Sequence, residues 1–229
     1  MSVAVVLGGT SAHATLCRRL KRRGYFVVLI DFTDQPPAKL AADVHLKEDA
    51  LNVENVTRIA RDLKADLVIS TCVDQSNRVA VEVLTELGRH VPYESQLASV
   101  VSNKASMKAR MRMHGIPTSE FMVVQDSRTA DWCDFTFPLI VKPTDTNGSK
   151  GIRRCDSRNE VMDSITRAID VSRTGTAIVE EFMHGREIAF DSYVSGGKAQ
   201  IIITRERHPL ELDPDTEPQI WGSTWPATL

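Results

Sequence analysis

Lys142 ends the apolar run Phe137-Pro138-Leu139-Ile140-Val141-Lys142-Pro143, where a charge is costly unless it meets an anion or a carboxylate. Asp145-Thr146-Asn147-Gly148-Ser149-Lys150-Gly151 follows, a stretch of small and polar residues whose backbone N–H groups can fold over phosphate oxygens. Farther along, Ile178-Val179 runs into Glu180 and Glu181, then Phe182-Met183, a glycine at 185, and a further carboxylate, Glu187. Together these are what a nucleoside triphosphate requires: cations near its phosphates, a loop of backbone donors, and a polar clamp for sugar and base. Each has a plainer account when taken singly. The lysine can snorkel, the loop can be a hairpin turn, and the acids can be a solvated strand end.

A second constellation stands near the start. Gly8-Gly9-Thr10-Ser11 follows the run 3–7, and Asp31 lies where a ribose-binding acid would. A dinucleotide fingerprint needs glycine at its first, third and sixth positions, and counted from Gly8 the chain offers Gly8, Thr10 and His13. Threonine obstructs the place where the second glycine lets backbone approach a pyrophosphate. The favoured reading is therefore a strand-to-helix turn opening a doubly wound domain, with His13 solvated or capping. An NAD-dependent Rossmann oxidoreductase is the rival.

The elements that must position these residues follow from periodicity. Val3-Ala4-Val5-Val6-Leu7 and the run 25–30 are continuous apolar stretches of the kind buried on both faces of a parallel sheet. Thr10 or Ser11 caps a helix that Gly24 stops. Helical spacing over 53–63 and 77–87 brackets a third strand at 67–70, which predicts a parallel sheet wrapped by helices. Two helices follow, 94–102 and 103–114, the second carrying Lys104, Lys108, Arg110 and Arg112 and ended by Gly115-Ile116-Pro117. Strands are predicted at 121–124, 137–142 and 177–182, with a helix over 159–171. A hairpin joins 187–194 to 198–205 through Ser195-Gly196-Gly197. The segment 209–218 is rich in proline and acid without periodicity, and 221–229 offers no closing element.

Composition bounds the rest. With 28 basic and 30 acidic residues the net charge is −2, which argues against a nucleic-acid partner. No apolar run approaches the ~18 residues of a membrane span, and no leader precedes the first strand. Cys17, Cys72, Cys133 and Cys155 lie far apart, so they read as free buried thiols of a cytoplasmic protein rather than as a metal or redox motif.

The order and spacing of the central pieces resemble the ATP-grasp superfamily, most closely the branch of the carbamoyl phosphate synthetase large subunit and biotin carboxylase. The matching pieces are Asn103-Lys104, the Gly-Ile-Pro-Thr beginning at Gly115, the run ending in Lys142-Pro143, the glycine loop, and Val179-Glu180-Glu181-Phe182-Met183 with Glu187. The resemblance implies that Lys104 and Lys142 contact ATP phosphates from two sides. It implies that Thr146, Asn147, Gly148, Ser149, Lys150 and Gly151 close over the β- and γ-phosphates as a mobile lid. Glu180 and the backbone of Glu181, Phe182 and Met183 would line the adenine edge, Glu187 would accept from the ribose hydroxyls, and Ile140 and Met183 would sandwich the base.

The implied fold is α/β: a doubly wound pre-ATP-grasp domain over 1–102, an α+β ATP-grasp lid with its linking helix over 103–182, and the start of an incomplete third domain over 183–229. The implied parent reaction is ATP-driven activation of a carboxylate as an acyl phosphate, captured by an amine or similar nucleophile. In such relatives acidic residues hold Mg²⁺ well downstream of the adenine segment. Here only 42 residues follow Glu187, and Glu206, Glu211, Asp213, Asp215 and Glu217 match no such pattern. Arg205 and Arg207 read either as substrate-side groups or as strand-edge charges. The expectation is a truncated chain that binds nucleotide without completing catalysis. Its alternatives are a non-catalytic nucleotide-binding subunit or half of a split enzyme, and an exposed sheet would favour self-association or a complementary chain.

Overall fold

The computed structural model describes residues 1–128, 134–210 and 219–228. Cys133 and the acids Glu211, Asp213, Asp215 and Glu217 lie outside the described residues. The chain forms two compact units, Met1–Arg110 and Met111–Leu229.

In the first unit β1 (Val3–Leu7), α1 (Ser11–Arg22), β2 (Phe26–Ile30), a 3₁₀ turn at Lys39–Ala41, β3 (Val44–Leu46), α2 (Val53–Asp62), β4 (Leu67–Ile69) and α3 (Asp74–Glu86) alternate along the chain. The sheet is parallel throughout, in the order β3-β2-β1-β4. Ala4, Val6, Val27 and Leu29 pack against Ala14, Cys17 and Leu20 of α1. Val5, Leu7, Val28 and Ile30 pack on the other side, against Val56 and Ile59 of α2 and Val79 and Val83 of α3. Burial on both faces is the reason the strands read as unbroken apolar runs. Two further helices, α4 (Ser95–Val101) and α5 (Lys104–Met113), follow. The Asn103 side chain caps α5 by accepting from Ser106 N–H at 3.0 Å.

The Gly8 turn is held from within. Thr10 is the N-cap of α1 in a capping box, its N–H donating to His13 Nδ1 at 3.2 Å. His13 is fully buried, and its Nε2 lies 3.3 Å from Ser70 Oγ, which in turn donates to the Leu7 carbonyl at 2.7 Å. With Nδ1 accepting, the proton sits on Nε2 and the ring is neutral. Burial lowers the His13 pKa from its ordinary 6.5. Above pH 6.5 both folded and unfolded states hold this ring neutral, so its contribution is fully present. Below 6.5 the unfolded chain takes up the proton first, and stability is lost as pH falls through the folded value. The first unit should therefore melt at a lower temperature at pH 5.5 than at 7.5. His13→Gln should flatten that dependence, at a cost of about 1–3 kcal/mol for the broken network. An unchanged pH slope in the variant would remove His13 as its source. Asp31 is occupied too, accepting from Thr33 N–H and Oγ–H at 2.9 and 2.6 Å.

The second unit holds two antiparallel sheets. The first contains β5 (Phe121–Val124), β6 (Leu139–Pro143), β7 (Arg153–Cys155) and, after α6 (Arg158–Val171), β8 (Ala177–Glu181), in the order β5-β8-β6-β7. One face packs on α6 through Leu139, Val141, Cys155 and Val179 against Val161, Ile165 and Ala168. The second sheet, β11-β10-β9, comprises β9 (Glu187–Ser195), β10 (Lys198–Leu210) and β11 (Gln219–Thr224). Gly196 and Gly197 form the hairpin loop with φ of +56° and +74°, a pairing that glycine takes without steric cost.

Three strands depart from the sequence reading. β3 and β7 are three residues each, too short to show a period. A closing element does exist at the end: β11 pairs with β10, Thr224 opposite Glu206 and Gln219 opposite Leu210. The partner strand creates it, because the alternation of its own six residues is broken by Gly222. Cys17 and Cys155 are buried free thiols, whereas Cys72 is exposed. Among the described residues no helix is long and apolar enough to cross a membrane.

Candidate functional site

The alternation of β6 divides its side chains. Leu139 and Val141 join the core with α6, which turns Ile140 and Lys142 to the opposite face. On β8, Ala177 and Val179 join the same core, so Ile178 and Glu180 share the face of Lys142. Register pairs Ile140 with Glu180 and Lys142 with Ile178, placing Lys142 and Glu180 diagonally across the two strands. The Lys142 ammonium donates to Glu180 Oε1 as an ion pair, with the two side chains only 18% and 10% exposed. The carboxylate that a lysine at this strand end demands is thus Glu180. Ser119 Oγ–H also reaches Glu180 Oε2, at 3.4 Å.

These two residues sit in a cleft of about 860 Å³ in the second unit, whose lining includes Ile140, Ile152, Glu181, Phe182, Met183 and Glu187. The structure therefore brings Lys142, Glu180, Glu181, Phe182, Met183 and Glu187 together. Ile140 and Met183 supply apolar walls. Of the three successive N–H groups after Glu180, that of Glu181 donates to the Glu120 carbonyl at 3.1 Å and that of Phe182 to the Pro138 carbonyl at 3.0 Å. Met183 N–H has no backbone acceptor among the described residues, which leaves it the donor of this segment. The Phe182 ring meets the Arg154 guanidinium, 5.0 Å from its centroid, and the His184 ring in a T-shaped contact with centroids 4.9 Å apart.

The residues 146–151 do not line this cleft; Ile152, just beyond them, does. Thr146 Oγ–H donates to the Lys150 carbonyl at 3.0 Å, and Gly148, Ser149 and Gly151 adopt positive φ of +65°, +62° and +73°. Lys104 begins α5 in the other compact unit.

Several cleft residues escaped the sequence reading. Ile152, His184, Arg186 and His208 line it, and so does Glu206, which was weighed only as a metal-binding acid and set aside. Arg207, weighed as a substrate-side group or a strand-edge charge, pairs with Glu187 Oε1 at 2.5 Å. The position of Ile152 directly after the glycine loop was the available signal. For Glu206 and Arg207 there was none, since only the β9–β10 register sets them opposite Ile188 and Glu187.

The described carboxylates of this cleft are all engaged. Glu180 pairs with Lys142, Glu187 with Arg207 and Glu206 with Arg186, while Glu181 Oε1 accepts from Thr136 N–H at 3.1 Å. Among the described residues no group of three or more His, Cys, Asp and Glu could hold a metal ion.

Residues 102–224 match the family of the phosphoribosylglycinamide synthetase ATP-grasp (A) domain, a span that contains every residue of the cleft. A formate-dependent phosphoribosylglycinamide formyltransferase from Ignicoccus hospitalis is 25% identical over 196 residues, covering 83% of this chain and 48% of that protein. The structure of N5-carboxyaminoimidazole synthetase from Staphylococcus aureus complexed with ADP superposes on 100% of this chain and 59% of its own, with a TM-score of 0.78 at 14% identity. The biotin carboxylase domain of Hydrogenobacter thermophilus 2-oxoglutarate carboxylase, in complex with MgADP and bicarbonate, gives 0.71 at 18% identity over 90% of this chain and 50% of its own. The chain thus spans about half the length of the proteins it matches. The matched family and the shared fold agree, and the chain belongs to the phosphoribosylglycinamide synthetase ATP-grasp (A) domain family, within the ATP-grasp superfamily.

Proposed function

We propose that this chain is the ATP-binding part of a cytoplasmic ligase that activates a small carboxylate as an acyl phosphate for capture by an amine or similar nucleophile. The observation that carries the reading is the largely buried Lys142–Glu180 pair at the wall of an apolar cleft, beside the Met183 N–H donor. Adenine presents a donor at its exocyclic amine next to an acceptor at N7. Glu180 and Lys142 offer the complementary acceptor and donor, and Met183 N–H offers a donor to the ring. Guanine would set a carbonyl against the Glu180 carboxylate. Lys142 also carries the charge that draws phosphate. Residues 146–151 would complete the phosphate site through their backbone, and Glu187 would accept from the ribose hydroxyls. Formate and bicarbonate in the names of the matched proteins support a small carboxylate as the activated group.

Magnesium is expected of a complete ligase of this type. The paired carboxylates of the described cleft do not fit a divalent ion. That arrangement keeps a second reading in view, a nucleotide-binding subunit that does not itself turn over.

Calorimetric titration with ATP, GTP and NAD tests the proposal. ATP should bind and NAD should not; preference for NAD would return the Gly8 turn to consideration, and equal affinity for GTP would remove the adenine assignment. Glu187→Ala should weaken ATP and ADP by the same factor, about 2- to 12-fold for a hydrogen bond worth roughly 0.5–1.5 kcal/mol at this half-exposed carboxylate, since both carry the same sugar. A loss confined to ATP would instead place Glu187 at the γ-phosphate.

A further inference from the structure

Both ends of the glycine loop rest on the same post. Asp145, only 9% exposed, accepts from Ser172 Oγ–H at 2.8 Å and Arg173 N–H at 3.2 Å through Oδ1, and from Thr174 N–H at 3.0 Å through Oδ2. Ser172 is the C-cap of α6, so these donors belong to the turn that carries the chain from α6 into β8. Thr144 extends the seam: it is fully buried, with its Oγ1 2.6 Å from Thr176 Oγ1 and 3.1 Å from Thr174 Oγ1. At the other end, a Cβ on Gly151 would stand 2.8 Å from Pro143 Cγ and 3.5 Å from Val171 Cγ2. Gly151 also has a φ of +73°. Residues 145 and 151 are therefore both seated where β6 and α6 end, and residues 146–150 span the gap between them.

We propose that Asp145 is a positioning residue: it clamps the turn 172–174 and so fixes the pivot about which residues 146–150 close on a polyphosphate. The inference rests on the nucleotide reading above and adds to it the residue that controls the loop. The chemistry favours aspartate specifically. Its two oxygens reach N–H groups of adjacent residues, whereas asparagine would turn an amide N–H₂ toward one of those donors. A fixed pivot lowers the ordering cost of closing the loop, so it strengthens binding only for ligands that the loop covers. Those are the β- and γ-phosphates. A monophosphate gains nothing from it.

The test is calorimetric titration of the 229-residue chain with ATP, ADP and AMP, comparing wild type with Asp145→Ala, Asp145→Asn and Ser172→Ala. Asp145→Ala should weaken ATP and ADP by about tenfold, the worth of one hydrogen bond to a charged group, with AMP unchanged within about twofold. Asn should lie between wild type and Ala, because it retains one acceptor. Amide exchange should quicken over 146–151 and over 172–174, with α6 and the core of β8 unaffected. Should Asp145→Ala fail to fold, Ser172→Ala keeps the carboxylate, removes one of its donors together with the acceptor of Thr176 N–H, and should still lower the ratio of ATP to AMP affinity. A wild-type chain that binds ATP better than AMP, with variants that keep the same ratio, overturns this inference and leaves the nucleotide reading standing. Wild type that binds none of the three nucleotides overturns both.

Discussion

Replacing Lys142 with methionine should weaken ATP binding by about 10- to 150-fold, the range for losing a charge-assisted hydrogen bond of roughly 1.5–3 kcal/mol. The effect should exceed that of any other single cleft substitution, because Lys142 is the described cation at the cleft wall that is mostly withdrawn from water. The substitution acts in a second way as well. It removes from Glu180, only 10% exposed, the ammonium that donates to its Oε1. Breaking a buried pair by removing one partner costs about 3–5 kcal/mol, and the partial exposure here points to the lower end of that range. The single variant should therefore melt earlier as well as bind less. Pairing Lys142→Met with Glu180→Gln removes the charge that has lost this ammonium, so the double variant should recover most of the melting temperature and none of the ATP affinity. Thermal melts and titrations of both variants separate the two effects. Wild-type ATP affinity in the folded double variant would show that Lys142 serves Glu180 alone.

The 229-residue chain should bind nucleotide yet release ADP or phosphate at a rate far below that of a working ligase. Charge that develops on the transferred phosphoryl group must be neutralised by preorganised groups, and losing one such contact typically costs about 10²–10³ in rate. In the described cleft Glu187 and Glu206 are bound to Arg207 and Arg186 and Glu180 to Lys142, so these acids neutralise protein cations rather than a bridging metal. The sheet β11-β10-β9 adds a second expectation. Phe190, Tyr193, Ile201, Ile202 and Trp221 are all at least half exposed on it, and two of its three strands are edges. Such a surface favours self-association or capture of a complementary chain. The assay supplies Mg²⁺ with a panel of carboxylates and amines, and follows assembly by light scattering. Substrate-dependent turnover from a well-behaved monomer would mean that the described carboxylates exchange their partners for metal, and the binding-only expectation would fall.

Sequence alone determined whatever local chemistry suffices to specify. Continuous apolar runs marked β1 and β2 because both faces of a parallel sheet are covered, and the two glycines of the hairpin marked its loop because both residues take positive φ. The order of Lys142, the glycine loop, Glu180 and Glu187 along the chain carried the resemblance to the family that residues 102–224 match. Tertiary structure decided the partnerships. Lys142 and Glu180 are 38 residues apart, and a one-residue slip of β6 against β8 would turn one of them into the core, so only strand register makes them a pair. The Arg207–Glu187 pair likewise exists because the β9–β10 register sets the two residues opposite each other. β11 exists through its partner, being too irregular to announce itself. Asp145 shows the division most plainly. Along the chain it is the polar first residue of a loop, but the fold buries it against a turn 27 to 29 residues away. Hydrogen bonds over that distance are set by how β6, α6 and β8 pack, which no local pattern encodes.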